Sequence, residues 1–256
     1  MKFLALLIIA LSLAATMLAT GEDANYWLTQ TKSDYENGSY SLAVQDIDEY
    51  LAIKPSDAWA WSFRANTLHK MKRYSEAADS FDELIKLDGS NAQAYNDRAL
   101  VLSGGMRQND EALESLEKAL EIEPKNADYW FNKGIILEAI KRSDEALQAY
   151  EQATSLDPSL EKAWYQQGVI FAAQGNYSMA LSNINRAIDL NPRNADAWNT
   201  KGLILLDQNL PQDAEICFEK AAKIVPSSRE FKENMKRAQE GMKAKPDRII
   251  EFNSTT

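Results

Sequence analysis

The sequence predicts an all-α solenoid of about six two-helix repeats closed by a C-terminal capping helix. Two observations carry this. Pro124, Pro158, Pro192 and Pro226 stand 34 residues apart, and the same residue types recur at the same offsets around each of them. A two-helix unit of that length cannot bury its apolar face alone and must stack on a copy of itself. The composition, 45% hydrophobic and 26% charged, is that of an ordinary folded chain. The period overrides the one or two globular domains that 256 residues would otherwise suggest.

Residues 1–21 stand outside the period. Lys2 precedes an apolar run from Phe3 to Ala19, interrupted only by Ser12 and Thr16. This is the pattern of a secretory signal, with Ala19-Thr20-Gly21 as the small-x-small cleavage site. The run is also near the lower limit for spanning a bilayer, so an uncleaved N-terminal anchor is the alternative. No cysteine lies near it, which excludes a lipid-modified cysteine at the cleavage point, and nothing later is long and apolar enough to span. The expected location is therefore exported, extracellular or in the cell envelope, with membrane contact only through this segment.

The array is expected to occupy residues 22–228. Its clearest unit, 127–160, reads Trp130-x-x-Lys133-Gly134-x-x-Leu137, then Ala146-x-x-x-Tyr150, Ala153 and Pro158. The next, 161–194, carries Trp164, Gln167, Gly168, Phe171, Ala180, Ile184, Ala187 and Pro192. Residues 195–228 carry Trp198, Lys201, Gly202, Leu205, Ala214, Phe218, Ala221 and Pro226. A mid-helix glycine costs about 1 kcal/mol against alanine, so Gly134, Gly168 and Gly202 are expected where two helices cross too closely for a side chain. Ala146, Ala180 and Ala214 would form the other side of that crossing. Trp130, Trp164 and Trp198, with Trp27 and Trp61 upstream, are expected in the interhelical core. Each proline would stop a second helix, and Asn126, Ser159 and Asn194 are expected N-caps.

Upstream units drift. Residues 92–126 keep Tyr95, Ala99, Leu102, Ala112, Leu116 and Ala119, but one residue is inserted near Ser103-Gly104-Gly105, which should lengthen the turn. Residues 58–91 keep Trp61, Ala65, Leu68, Ala77 and Phe81, with Gly89 in place of proline. Residues 24–57 keep Trp27, Ala43, Ile47 and Pro55, but Thr31 stands at the small-residue position. Residues 229–244 are expected to form the cap, with Phe231, Met235, Ala238 and Met242 on one apolar face, and 245–256 an unstructured tail.

These units resemble the tetratricopeptide repeat family over roughly residues 24–228. The resemblance implies a right-handed superhelix whose concave face is lined by the first helix of each pair. The positions so projected include Trp59, Phe63, Asn66, His69 and Lys70, then Asn96 and Asp97. They continue with Phe131, Asn132, Ile135 and Glu138, and with Lys162, Tyr165, Gln166 and Val169. The last are Asn199, Thr200, Leu203 and Asp207. Each either lines that face or packs against the next repeat. Aromatic and aliphatic side chains with asparagines suit an extended peptide, since a carboxamide pairs both backbone N–H and C=O groups. Trp59 lies two residues before the repeated Trp61 and off the core register. A clamp for a C-terminal carboxylate is not expected, because Ser62 stands where a lysine would precede Asn66. The projected face is slightly acidic, favouring a basic or apolar segment.

Other chemistry finds little footing. The net charge of −10 argues against nucleic acid and against docking on anionic lipid. His69 is the only histidine and Cys217 the only cysteine, in repeats two and six, so neither a Cys/His nucleophile nor a transition-metal site is expected, and no cofactor. Cys217 is expected in the interhelical packing, with an intermolecular disulfide as the alternative. Asn37, Asn176 and Asn253 begin N-x-S/T triplets and are candidate glycosylation sites. The sequence thus points to a non-enzymatic scaffold that binds a peptide segment or partner helix. The alternative is a self-associating component of an envelope assembly.

Overall fold

The computed structural model describes residues 23–240. The signal or anchor, the expected tail, Met242 and Asn253 lie outside them. The described chain is helical throughout, with no strand. It divides into two compact units, one ending at Pro124 and one beginning at Lys125.

The first unit holds α1 (23–36), α2 (Tyr40–Ile53), α3 (Ala58–Lys70), α4 (Tyr74–Leu87), α5 (Ala92–Val101) with a π-helical extension (Leu102–Met106), and α6 (Asn109–Ile122). The second holds α7 (Ala127–Ala139), α8 (Ser143–Leu156), α9 (Glu161–Ala173), α10 (Tyr177–Leu190), α11 (Ala195–Asp207), α12 (Pro211–Ile224) and α13 (Arg229–Gln239). Helices pair in chain order, six pairs and a cap, the architecture of a tetratricopeptide-type α-solenoid.

The turn inside each pair repeats one backbone device. Gly38, Lys72, Arg107, Lys141, Gly175 and Asn209 all have positive φ, between 58° and 77°. Each follows a first helix and lets its own amide and the next one bond back to it. The Lys141 and Arg142 N–H groups, for example, donate to the Glu138 and Leu137 carbonyls. This is the left-handed C-terminal cap that satisfies orphan carbonyls. Between pairs, α2, α8, α10 and α12 end two residues before Pro55, Pro158, Pro192 and Pro226. There Trp61, Trp164 and Trp198 donate their indole N–H to the carbonyls of Pro55, Pro158 and Pro192 at 2.8–3.0 Å. These tryptophans are half-buried: Trp61 and Trp198 pack against the core as expected, while a turn carbonyl holds the polar edge of each ring outward.

The glycine expectation holds, with a different neighbour. A Cβ on Gly134 would lie 2.3 Å from the Tyr150 ring, and one on Gly202 2.5 Å from the Phe218 ring. On Gly168 it would lie 2.7 Å from Ile184. The space is taken by the large residue four positions after the alanine; at Gly168 the Ala180 carbonyl also lies at 3.1 Å. Thr31, fully buried at the matching place in α1, returns its hydroxyl to the Trp27 carbonyl at 2.8 Å.

Two further expectations are corrected. The inserted residue near Gly104 does not lengthen the turn; it is absorbed as the π-helical extension of α5, whose Gly105 closes on the Tyr74 ring. Ser159 is not an N-cap. Its amide and hydroxyl both donate to Asp157, and α9 starts after Leu160 without a side-chain cap, whereas Asn126 and Asn194 do cap α7 and α11. The last helix is fixed by Phe231 and Ala238, buried against α11 and α12, with Met235 partly buried beside them.

Candidate functional site

In the first unit α1 and α3 bring an aromatic cluster to one face. Trp59 is 46% exposed and stacks on Phe63 at 5.2 Å between ring centres. Phe63 meets Tyr35 edge-on at 5.1 Å, and Tyr35 meets Tyr40 at 5.3 Å. Two lysines fringe the cluster. Lys32 lies over the Trp59 ring at 5.7 Å, and Lys70 over Tyr35 and Tyr40 at 5.1 and 4.4 Å. Contact with the Tyr40 hydroxyl holds the Lys70 ammonium above its ordinary pKa. This face is aromatic and locally cationic, against the slightly acidic character projected for the whole array. Asn66 is exposed, with its amide bonded back to the Ser62 carbonyl at 2.9 Å.

Asn96 does not join that surface. It is 4% exposed and its amide donates to Asp97 at 3.0 Å. Burial raises the Asp97 pKa, against hydrogen bonds from Gln93 and Asn96 that lower it.

The second unit has its own first-helix face across α7, α9 and α11. Lys162 pairs with Asp128 at 2.9 Å and lies over the Phe131 ring at 4.4 Å. Phe131, tilted 5.5 Å from Tyr150, is only 9% exposed. Val169 is fully buried in the core with Ile184 and Ala172. Asn199 is 5% exposed and used up: it donates to Glu230 at 3.0 Å and accepts from Asn234 at 2.9 Å, both on α13. For Asn96, Phe131, Val169 and Asn199 the expected place on an open binding face is corrected, because neighbouring helices enclose them. Ile135 is 36% exposed. Asn132, Tyr165 and Leu203 are half-buried. Tyr165 meets the Thr200 hydroxyl at 3.4 Å, and burial pushes its phenol up to about 12.

Two carboxyls on this face accept hydrogen bonds from neutral groups. Glu138 accepts hydrogen bonds from the Tyr150 hydroxyl and, at 3.4 Å, from the Gln166 amide. Asp207 accepts from the Tyr177 hydroxyl at 3.0 Å. Burial raises both pKa values; the tyrosine hydrogen bond offsets this in each, and the charge of Arg237 adds to the offset at Asp207.

Other singled-out residues fall as follows. Cys217 is free and buried in α12, and burial pushes its thiol up. Asn37 and Asn176 are exposed; Asn176 also caps α10 through its oxygen. Among the described residues no group of three or more His, Cys, Asp or Glu is placed to hold a metal ion, and no helix is long and apolar enough to cross a membrane. Sequence reasoning missed Lys32 and Tyr35, because the first repeat lacked the small-residue marker. Their signal was the period itself, since each lies 34 residues before Asn66 and His69.

Several solved structures share the fold. The crystal structure of MamA superposes with a TM-score of 0.61 at 19% identity, covering 69% of this chain and 96% of that one. YrrB, described as a TPR protein with an unusual peptide-binding site, gives 0.59 at 24% identity, covering 76% and 97%. PilF of Pseudomonas aeruginosa gives 0.66 at 17% identity, covering 84% and 97%. No curated protein matches the chain. The tetratricopeptide repeat family model matches residues 28–94, 104–161 and 165–229. With the recurring left-handed turns, tryptophan-to-proline bonds and glycine crossings, this places the chain in the tetratricopeptide repeat family, whose members generally mediate protein–protein interaction.

Proposed function

We propose that this chain is a non-catalytic interaction scaffold that holds an extended protein segment on its first-helix faces, with Trp59 as the main anchor. The observation that carries this is an exposed tryptophan, stacked on Phe63 and flanked by Lys32, on a helix whose other tryptophan is tied into a turn. A large aromatic held open and rigid supplies contact area at low entropic cost. With Lys32 and Lys70 at its margin, this face favours a segment carrying apolar and carboxylate side chains. The peptide-binding site named for YrrB supports the reading by analogy of fold.

The test is to select peptides from a displayed random library against the full chain and measure each against Trp59→Ala. A loss of about tenfold or more, with unchanged helical circular dichroism, is the expected result. Equal affinity for every selected peptide rejects this face. Phe131 is unsuitable as a second probe, since its ring is enclosed.

A second reading, self-association, is favoured by Tyr26 and Leu42, 55% and 50% exposed on the first helix pair. A mass that rises with concentration supports it, and a strict monomer at high concentration excludes it. Export or membrane tethering is proposed from the apolar run at 3–19 alone. N-terminal sequencing of the protein from membrane and extracellular fractions distinguishes cleavage after residue 21 from an intact anchor and from a cytoplasmic chain. The same material, treated with a glycosidase, tests Asn37, Asn176 and Asn253.

A further inference from the structure

Glu138 occupies an unusual position on the second unit's face. One carboxylate oxygen takes both internal hydrogen bonds, from Tyr150 and Gln166. Among the described residues the other accepts none, and it is not among the enclosed, unpartnered atoms, so it is in reach of solvent. The residue as a whole is half-buried. Among the described residues no lysine or arginine forms an ion pair with it, and the lysine reaching α7 from α9, Lys162, is engaged by Asp128 and the Phe131 ring. A partly desolvated carboxylate held by neutral donors attracts a cation more strongly than an exposed one does, because less water screens it. Two neighbours fit a chain segment rather than a free ion. Ile135, one helical turn before Glu138, is exposed beside it, and the enclosed Gln166 oxygen has no donor of its own.

We propose that Glu138, positioned by Tyr150 and Gln166, is a subsite for the guanidinium or ammonium of an arginine or lysine side chain on an extended partner segment, whose adjacent apolar residue packs on Ile135. The inference rests on the reading that the array binds protein segments, but it concerns the second unit and does not depend on Trp59. It also refines the charge preference: an apolar and acidic stretch suits the first unit, and a basic residue the second.

The test uses nonapeptides of Ala, Leu and Ser with one central Arg, Lys, citrulline or norleucine, measured by fluorescence anisotropy against the full chain. Arg or Lys peptides are expected to bind about tenfold tighter than the citrulline and norleucine ones, the gain of one charge-assisted contact. Glu138→Gln should abolish that preference, whereas Glu151→Gln, which removes an exposed carboxylate of α8, should leave it intact. Trp59→Ala should also leave it intact, which separates this site from the anchor of the first unit. Equal binding of Arg and citrulline peptides by the wild-type chain, including no binding by either, overturns the proposal without need of any variant. So does a preference that survives Glu138→Gln, or one lost equally in Glu151→Gln, which would mean attraction to the net charge alone.

Discussion

A single left-handed residue ends the first helix of every pair, yet only Gly38 and Gly175 among the six are glycine. For an L-residue this conformation costs about 1–2 kcal/mol, while glycine in its place gives back about 0.5–1 kcal/mol in unfolded-chain entropy. Lys141, at φ 63°, makes no ion pair with its side chain among the described residues. Lys141→Gly is therefore expected to raise stability by about 0.5–1 kcal/mol, read from urea unfolding. Gly134 is the opposite case. Alanine would gain about 1 kcal/mol in helix propensity. Its Cβ, however, would enter the Tyr150 ring at 2.3 Å, and that ring is pinned by Phe131 and by its hydroxyl bond to Glu138. Gly134→Ala should destabilise by about 1–3 kcal/mol; a neutral result would mean that Tyr150 has room to swing aside.

At the scale of the helix, neighbouring repeats are joined by polar contacts laid over the apolar core. Arg64 pairs with Asp48 of the preceding second helix at 2.6 Å and donates to Ser80 at 2.6 Å. Arg98 repeats this one unit later, with Asp82 at 2.6 Å and Ser115 at 2.7 Å. In the second unit a glutamine and a lysine take over the role, with neutral acceptors. Gln167 reaches Thr154 at 2.9 Å, and Lys201 reaches Asn185 at 2.7 Å. Arg98→Ala leaves buried Ser115 without its donor and should cost about 1–2 kcal/mol, measured by urea denaturation; Arg98→Lys should recover part of it. The tryptophan-to-proline bond makes a further prediction. Trp198→Phe keeps an aromatic ring but loses the donor to Pro192 and part of the indole packing, and should cost about 1–3 kcal/mol.

At the scale of the whole molecule, pH ties the buried carboxyls to stability. Asp97, Glu138 and Asp207 all have pKa values raised by burial. A carboxyl raised above its unfolded value binds its proton more tightly in the folded state. Its contribution is thus fully present below the unfolded pKa and is lost as pH rises through the folded one. Glu76, Glu145, Asp157 and Glu219 shift the other way through hydrogen bonds to Arg73, Arg142, Ser159 and Lys223, but they sit in solvent, where such contacts weigh little. With a net charge of −10, mild acidification also relieves self-repulsion. The urea midpoint should therefore rise from about pH 7 to about pH 5, and Glu138→Gln with Asp207→Asn should flatten that rise. By itself the sequence determined the period, the helix pairing, the glycine crossings and the capping helix, because these rest on residue types repeated at fixed spacing and on local backbone chemistry. Tertiary structure alone decided which projected residues stay open. Asn199 and Trp59 sit in first helices and read alike as candidates, yet α13 lays Glu230 and Asn234 over one and leaves the other bare. Exposure is set by what the neighbouring helix carries, and no period within one strand of sequence records it. The same holds for Glu138, whose partners Tyr150 and Gln166 are 12 and 28 residues away in the chain and meet only once three helices pack.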